Sequence, residues 1–284
     1  MKRAGFVVHP DRAAAAEAAE SLIGWLTERG IQTRWFDDPL RKDETAVAAF
    51  GEGLDLIVSV GGDGTFLHAA HVASRVGCPI LGVKVGRLGF LTEVEPEEAP
   101  PVLERVIAGT ARIEERLAVL AEPDGAEFPP QWALNELMVE KSARHRLVRL
   151  AVHVDDVYVT TFSADGVIVA TPTGSTAYSF SAGGPIVTPT MQCLLVTPVA
   201  AHMVFDRSLV LGAWERVMLE VVGEEDGLLS VDGREGLELP LGSRVRIGAA
   251  PRPALLVRRE DAPPFHTLVR GKFGLPGEDV GAGR

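Results

Sequence analysis

The sequence predicts an α/β N-terminal domain with an open, mainly parallel sheet, followed by a β-rich C-terminal domain. Three observations carry that expectation. Through the first 110 or so residues, short apolar runs alternate with stretches of helical periodicity, the order that builds βαβ units. Within them, residues 54–60 (LDLIVSV) form a nearly unbroken apolar run of the kind buried on both faces of a parallel sheet. From about Ala111 the texture changes to Val-, Ile- and Leu-rich runs separated by turn residues, with few long helical windows.

Element by element, residues 4–8 read as a strand, and the Ala-rich segment 12–29 as a helix closed by Gly30. A strand at 31–36, a short helix at 44–50 and the buried strand at 54–60 follow. Glycines at 61–64 make a turn, 65–76 resume helical spacing, 79–85 form another buried strand, and 96–107 a further helix. In the β-rich part, strands are expected at 147–154 and 157–163 about an Asp155-Asp156 turn, then at 166–170, 194–196, 217–222, 228–231 and 245–247. The expected domains are 1–110 and 111–262, with the Pro- and Gly-rich segment 263–284 packing back on the first domain or fraying.

The chain has 284 residues, with 28 Lys+Arg against 39 Asp+Glu and a net charge of −11. That balance argues against a nucleic-acid surface held by phosphate neutralisation, while leaving a small anionic ligand open. The only cysteines, Cys78 and Cys193, are far apart in apolar stretches, which excludes a disulfide scaffold or Cys-rich metal site and fits a reducing cytoplasm. The longest apolar stretch, 193–205, is interrupted by Pro198 and His202 and is too short to span a bilayer. No membrane partner or export signal is expected.

The strongest local signal is Gly61-Gly62-Asp63-Gly64-Thr65, between a buried strand and a helix. Its glycines let successive N–H groups approach an anion near a helix N-terminus. An acid at the centre of such a cradle repels a phosphate unless it has its own task. Asp63 is therefore either a base for phosphoryl transfer or a cap on the helix that follows. The segment matches neither the Walker loop nor the dinucleotide fingerprint Gly-x-Gly-x-x-Gly.

The second signal is DGVIVATPTGSTAYSFSAGGPI at 165–186, a strand entering a loop dense in Thr, Ser and Gly. Partly buried hydroxyls there need partners, and a ligand can supply them. Asn135-Glu136, inside the apolar context 132–139, is the third. Adjacent strand residues face opposite sides, so one of the two points to the core unless a ligand or bulge meets it; a satisfied core pair is the plainer alternative. His68 and His71 lack a third ligand for a metal, Arg144, His145, Arg146 and Arg149 read either as a solvated turn or as a cluster in which one arginine binds a phosphate, and Ser175 lacks a hydrolase elbow.

Taken together, the segments 61–70 (GGDGTFLHAA), 86–94 (GRLGFLTEV), Asn135-Glu136 and 165–189 resemble the NAD kinase family, in family order and spacing over nearly the whole chain. The resemblance implies transfer of a phosphoryl group to the 2′-hydroxyl of the adenosine ribose of NAD, with ATP or inorganic polyphosphate as donor and Mg²⁺ as cofactor. It implies Asp63 as proton acceptor, with Gly62 and Gly64 as backbone partners at the ligand and His68 as a basic position near the dinucleotide. It also implies Asn135 and Glu136 holding adenosine, Asp165 at the nicotinamide end, Arg146 reached from a neighbouring subunit, and Thr176, Ala177, Tyr178 and Ser181 in a loop closing over the adenine side. A homodimer or homotetramer follows, whereas the metal ligands are not identified. One departure is Lys84, where the family usually has Asn; its charge either faces the donor phosphates or is a solvated strand-end lysine. Among alternatives, a lipid kinase of the diacylglycerol or sphingosine type shares the GGDGT turn, and a non-catalytic nucleotide sensor could use the same pocket.

Overall fold

The computed structural model describes residues 1–36, 44–87, 89–124 and 128–276. Leu88 of the GRLGFLTEV segment and residues 277–284 of the expected C-terminal segment lie outside them. The chain divides into two compact units: residues 1–115 with the chain from Leu255 onward, and Arg116–Ala254.

The first unit contains β1 (Arg3–Val8), α1 (Ala13–Thr27), β2 (Gln32–Phe36), α2 (Glu44–Gly51), β3 (Leu56–Gly61), α3 (Asp63–Val76), β4 (Ile80–Lys84), α4 (Ala99–Ala108) and β5 (Arg112–Arg116). The second contains β6 (Val119–Asp124), β7 (Gln131–Ala133), β8 (Glu136–Lys141), β9 (Val148–Val154), β10 (Val157–Ala164), β11 (Gly166–Ala170), α5 (Tyr178–Ser181), β12 (Cys193–Val199), β13 (Leu209–Gly212), β14 (Val217–Val222), β15 (Gly227–Val231), β16 (Arg234–Leu239) and β17 (Arg244–Ala249). The chain then returns to the first unit as β18 (Ala254–Arg258) and α6 (Phe265–Phe273).

The first sheet runs β2-β1-β3-β4-β18-β5. The pairs β1–β2, β1–β3, β3–β4 and β4–β18 are all parallel. Every residue of β3 is buried, as expected for a strand covered on both faces. The chain leaves β1 outward to β2, then crosses back to β3 and continues to β4. This reversal lies between β1 and β3, and in open α/β sheets ligands bind at the carboxyl ends of strands at such a point. The Gly61–Asp63 turn is at the carboxyl end of β3.

The second unit holds two six-stranded sheets, β10-β9-β14-β17-β6-β7 and β13-β12-β11-β8-β15-β16, with antiparallel pairing. One apolar core, with Val119, Leu137, Leu150, Phe162, Val169, Leu219 and Ile247 among its members, receives side chains from both. The Asp155-Asp156 turn joins β9 to β10 with both residues at positive φ, 47° and 65°.

Both expected domain boundaries shift. They fall at Glu115/Arg116 and Ala254/Leu255, because β5 and β18 are strands of the first sheet. A strand's own sequence shows that it is extended but not which sheet takes it. The segment 263–284 contains a helix, α6, whose Phe265 and Phe273 rings lie 6.2 and 6.1 Å from that of Phe90. The single strand implied around 132–139 is broken: β7 ends at Ala133 in one sheet and β8 begins at Glu136 in the other.

Candidate active site

Asp63 is the first residue of α3, and Gly62 occupies the cap position without a side-chain cap. The Asp63 carboxylate therefore does not cap its own helix, which removes that alternative. Instead it crosses to the loop after β4. Oδ2 accepts the Phe90 N–H at 2.8 Å. Oδ1 accepts the N–H groups of Leu91 and Thr92 at 3.1 and 3.2 Å and the Thr92 hydroxyl at 3.3 Å. Gly89 is required by this contact, since a Cβ there would sit 1.9 Å from Asp63 Oδ1. With three donors on one oxygen and one on the other, Oδ2 is the oxygen with acceptor capacity to spare.

The receiving loop is itself fixed by the returning chain. Arg258 of β18 holds Glu93 through two parallel bonds, Nε–Oε1 at 2.9 Å and Nη2–Oε2 at 2.7 Å, and reaches Glu114 at 3.1 Å. The α6 aromatics and Lys272, 5.6 Å from the ring centre, enclose Phe90. On the other side of the turn, a Cβ at Gly62 or Gly64 would meet nothing within 4 Å, so the cradle is open where a phosphate could approach the α3 N-terminus.

In the second unit, Asn135 and Glu136 lie at the break between β7 and β8, both 8% exposed. The N–H groups of Leu134, Asn135 and Glu136 all donate to the Asp232 carboxylate, at 2.8, 2.8 and 3.0 Å, and the Asp232 N–H returns to the Glu136 carbonyl at 3.0 Å. This grip resolves the strand-facing problem, because the chain at 134–135 is not strand. Asp232 sits at φ 47° in the β15–β16 turn, followed by Gly233 at 70°. Glu136 Oε2 is buried with no hydrogen-bond partner. Burial, then the charge of Asp232, push the Glu136 carboxyl up to about 8, against the N–H of Tyr178.

The Thr- and Ser-rich loop behaves differently from expectation. Its buried hydroxyls find partners within the protein: Thr171 on the Leu134 carbonyl at 2.6 Å, Ser175 on the Pro172 carbonyl at 2.6 Å and Ser179 with Thr197 at 3.1 Å. The Arg116 guanidinium donates to Thr173 at 3.3 Å. These groups shape the loop and press Gly174 onto Asn135, where a Cβ would come within 2.2 Å of the Asn135 carbonyl oxygen. Thr176, Ala177, Tyr178 and Ser181 remain at least partly accessible around the short α5 turn.

Other expected residues are placed as follows. His68 is half-buried on α3, the helix that begins with Asp63. Lys84 is mostly covered, its ammonium 2.5 Å from Glu95 Oε1, so it is not a solvated lysine. Arg146 is exposed and ion-paired with Glu225. Asp165 pairs with Lys141 at 2.5 Å. Since Gly166 lies opposite Glu140 and Ala170 opposite Glu136, Asp165 is roughly 17 Å along the ladder from the Asn135–Glu136 end. The fold thus brings Asn135, Glu136 and the 171–178 loop together but not Asp165 or Arg146. Asp232, which the sequence reading missed, had one signal: an Asp-Gly turn between two strands. Among the described residues there is no cluster of three or more His, Cys, Asp or Glu that could hold a metal ion.

An acid at the glycine turn closing a central parallel strand of the first unit and, within the second unit, a polar site at a strand break are the features expected of a phosphotransferase of the nucleotide kinase class. The chain belongs to the ATP-NAD kinase family: residues 4–111 match the ATP-NAD kinase N-terminal domain and 134–259 the C-terminal domain. It is 40% identical over 280 residues to an NAD kinase of Heliobacterium modesticaldum, covering 96% of this chain and 99% of that protein. It is 44% identical over 296 residues to an NAD kinase of Rhodococcus erythropolis, covering 95% and 93%. Among solved structures it is similar to yeast NADH kinase complexed with NADH, with a TM-score of 0.84 at 25% identity over 99% of this chain and 89% of that one. It is also similar to an NAD kinase from Archaeoglobus fulgidus in complex with ATP, with a TM-score of 0.78 at 27% identity over 98% and 100%. These likenesses support the NAD kinase reading and not the lipid kinase alternative.

Proposed function

We propose that the protein transfers the terminal phosphoryl group of ATP to the 2′-hydroxyl of the adenosine ribose of NAD, giving NADP and ADP. The ribose oxygen forms the new bond to phosphorus as the bond to the ADP oxygen breaks, and Asp63 Oδ2 takes the hydroxyl proton. The observation that carries this reading is the Asp63 carboxylate, immobilised by four donors at an open glycine cradle, in a chain of the ATP-NAD kinase family.

Asn135 and Glu136 hold the acceptor, with the unpartnered Glu136 Oε2 receiving a ribose hydroxyl. The 176–181 turn covers the adenine side, and His68 lies near the dinucleotide. Lys84 adds positive potential toward the donor in this reading, although its ammonium is shared with Glu95. Mg²⁺ fits as an ion carried mainly by donor phosphate oxygens, a mode that needs few protein ligands, and it supplies charge neutralisation at the transferring group. Inorganic polyphosphate is an alternative donor, since the cradle addresses phosphates and not a base.

The protein acts as a homodimer or homotetramer in this reading. Asp165 and Arg146 share a sheet end remote from Glu136 and are suited to a neighbouring subunit's nucleotide, while exposed Val157, Tyr158, Val210 and Trp214 offer apolar area for a partner copy. No nucleic-acid or membrane partner enters this scheme, and no described helix is long and apolar enough to cross a membrane. Cytoplasmic residence belongs to the same reading and is supported by two free, buried thiols. Incubation with NAD, ATP and Mg²⁺ followed by an NADP assay tests it; NADP formation is expected, and its absence overturns the assignment.

A further inference from the structure

We propose that Asp232 is a positioning residue of the acceptor site, presenting Asn135 and Glu136 by gripping the three backbone N–H groups of residues 134–136. The inference rests on the reading of Asn135 and Glu136 as acceptor ligands. Its own support is geometric. Three consecutive N–H groups converge on one carboxylate at 2.8 to 3.0 Å, where the chain leaves one sheet for the other. Without that carboxylate, three buried donors would be orphaned, and only the Thr171 bonds to the Leu134 and Asn135 carbonyls would still hold the break.

The grip is reciprocal, since the Asp232 N–H bonds to the Glu136 carbonyl, and it is installed at a positive φ of 47° that most side chains avoid. Leu134 is held a second time by the Thr171 hydroxyl on its carbonyl, and Asn135 by the Thr171 N–H at 2.8 Å. Asp232 therefore fixes one side of the strand break and the 171–174 turn the other. Arg234, two residues on, anchors the same turn through Nη2 on the Trp132 carbonyl at 3.1 Å and Nε on the Val231 carbonyl at 3.2 Å.

A second consequence is electrostatic. The charged groups around Glu136 are Asp232 in the β15–β16 turn and, beyond it, Arg234, while α5 contributes the Tyr178 N–H. Burial pushes both carboxyls upward, but Asp232 has three N–H donors and Arg234 opposing that, where Glu136 has one donor. Glu136 is therefore the partner that keeps a proton in the free protein. Ribose hydroxyls donating to Glu136 favour its ionised form, so acceptor binding releases that proton.

The test is Asp232→Asn, nearly isosteric, with Asp232→Ala beside it. In Asp232→Asn an amide NH₂ must face a backbone N–H, so one bond of the grip becomes a repulsion. NAD affinity by calorimetry is expected to fall at least tenfold, with the ATP KM within twofold of the parent. The Glu136 carboxyl, followed by carbon-13 NMR in the free full-length protein, should titrate at lower pH than in the parent, an effect a scaffold role alone would not produce. Should either variant fold poorly, Arg234→Met, which keeps the Asp232 charge, should leave the Glu136 midpoint high. Unchanged NAD affinity together with an unchanged Glu136 titration in Asp232→Asn overturns the proposal. If the parent protein forms no NADP, the underlying reading fails instead, so the two failures are distinct.

Discussion

Each unit of the protein holds one aspartate carboxylate against three consecutive backbone N–H groups, and the two grips serve opposite ends. In the first unit the gripped carboxylate, Asp63, is the proposed proton acceptor, and the loop Phe90–Thr92 holds it. In the second unit the carboxylate, Asp232, does the holding, and the residues whose N–H groups it takes include Asn135 and Glu136, the proposed acceptor ligands. One motif of physical chemistry, an anion satisfied by a short run of amides, is used once to aim a side chain and once to aim a stretch of backbone. The difference teaches that an aspartate gripped by backbone amides is not read as catalytic from that grip alone. What separates the two is that Asp63 borders an open cradle, while Asp232 is spent on backbone.

The largest effect is expected at Asp63. Asp63→Asn removes the proposed proton acceptor, and steady-state NADP formation should fall about 10²- to 10⁴-fold, the usual scale for losing a general base. Gly89→Ala should approach that loss without touching any acidic group, because the new Cβ cannot coexist with Asp63 Oδ1 at 1.9 Å. A Gly89→Ala enzyme with at least half the parental kcat would show that the grip on Asp63 is dispensable.

A smaller effect sharpens the second unit. The folded protein keeps the Glu136 proton up to about pH 8, whereas an unfolded chain releases it near the ordinary carboxyl value of 4.5. This group therefore favours folding fully below about pH 4.5, and that contribution is lost as pH rises toward 8. Glu136→Gln should accordingly gain thermal stability relative to the parent at pH 8 and not at pH 4.5, while NAD affinity drops. Equal melting-temperature differences at both pH values would contradict the sign. The smallest change is expected at Lys84: its ammonium is already shared with Glu95, so Lys84→Ala should raise the donor KM only a few-fold and leave the NAD KM alone. Initial-rate kinetics with each substrate varied would check this.

Much of this was legible in the sequence, for identifiable reasons. The apolar run that forms β3 and the glycine turn after it are local signals, and so is the aspartate pair between β9 and β10. Asn135 and Glu136 were visible as polar residues in apolar surroundings. Asp232 was not, because its meaning comes from residues 96 to 98 positions away, and neither was the grip of the 90–92 loop on Asp63, 27 to 29 positions distant. The hydroxyl-rich loop misled for the same reason. Ser179 and Thr197 pair across 18 residues, so hydroxyls that seemed to await a ligand already had partners.

Turnover and NAD affinity measured side by side in Asp63→Asn and Glu136→Gln separate the proposed roles of the two carboxyls. Asp63→Asn should lose at least a hundredfold in NADP formation with NAD affinity kept within about twofold, whereas Glu136→Gln should weaken NAD binding by about tenfold or more. Turnover near the parental rate in Asp63→Asn, or unaltered NAD affinity in Glu136→Gln, would contradict those roles.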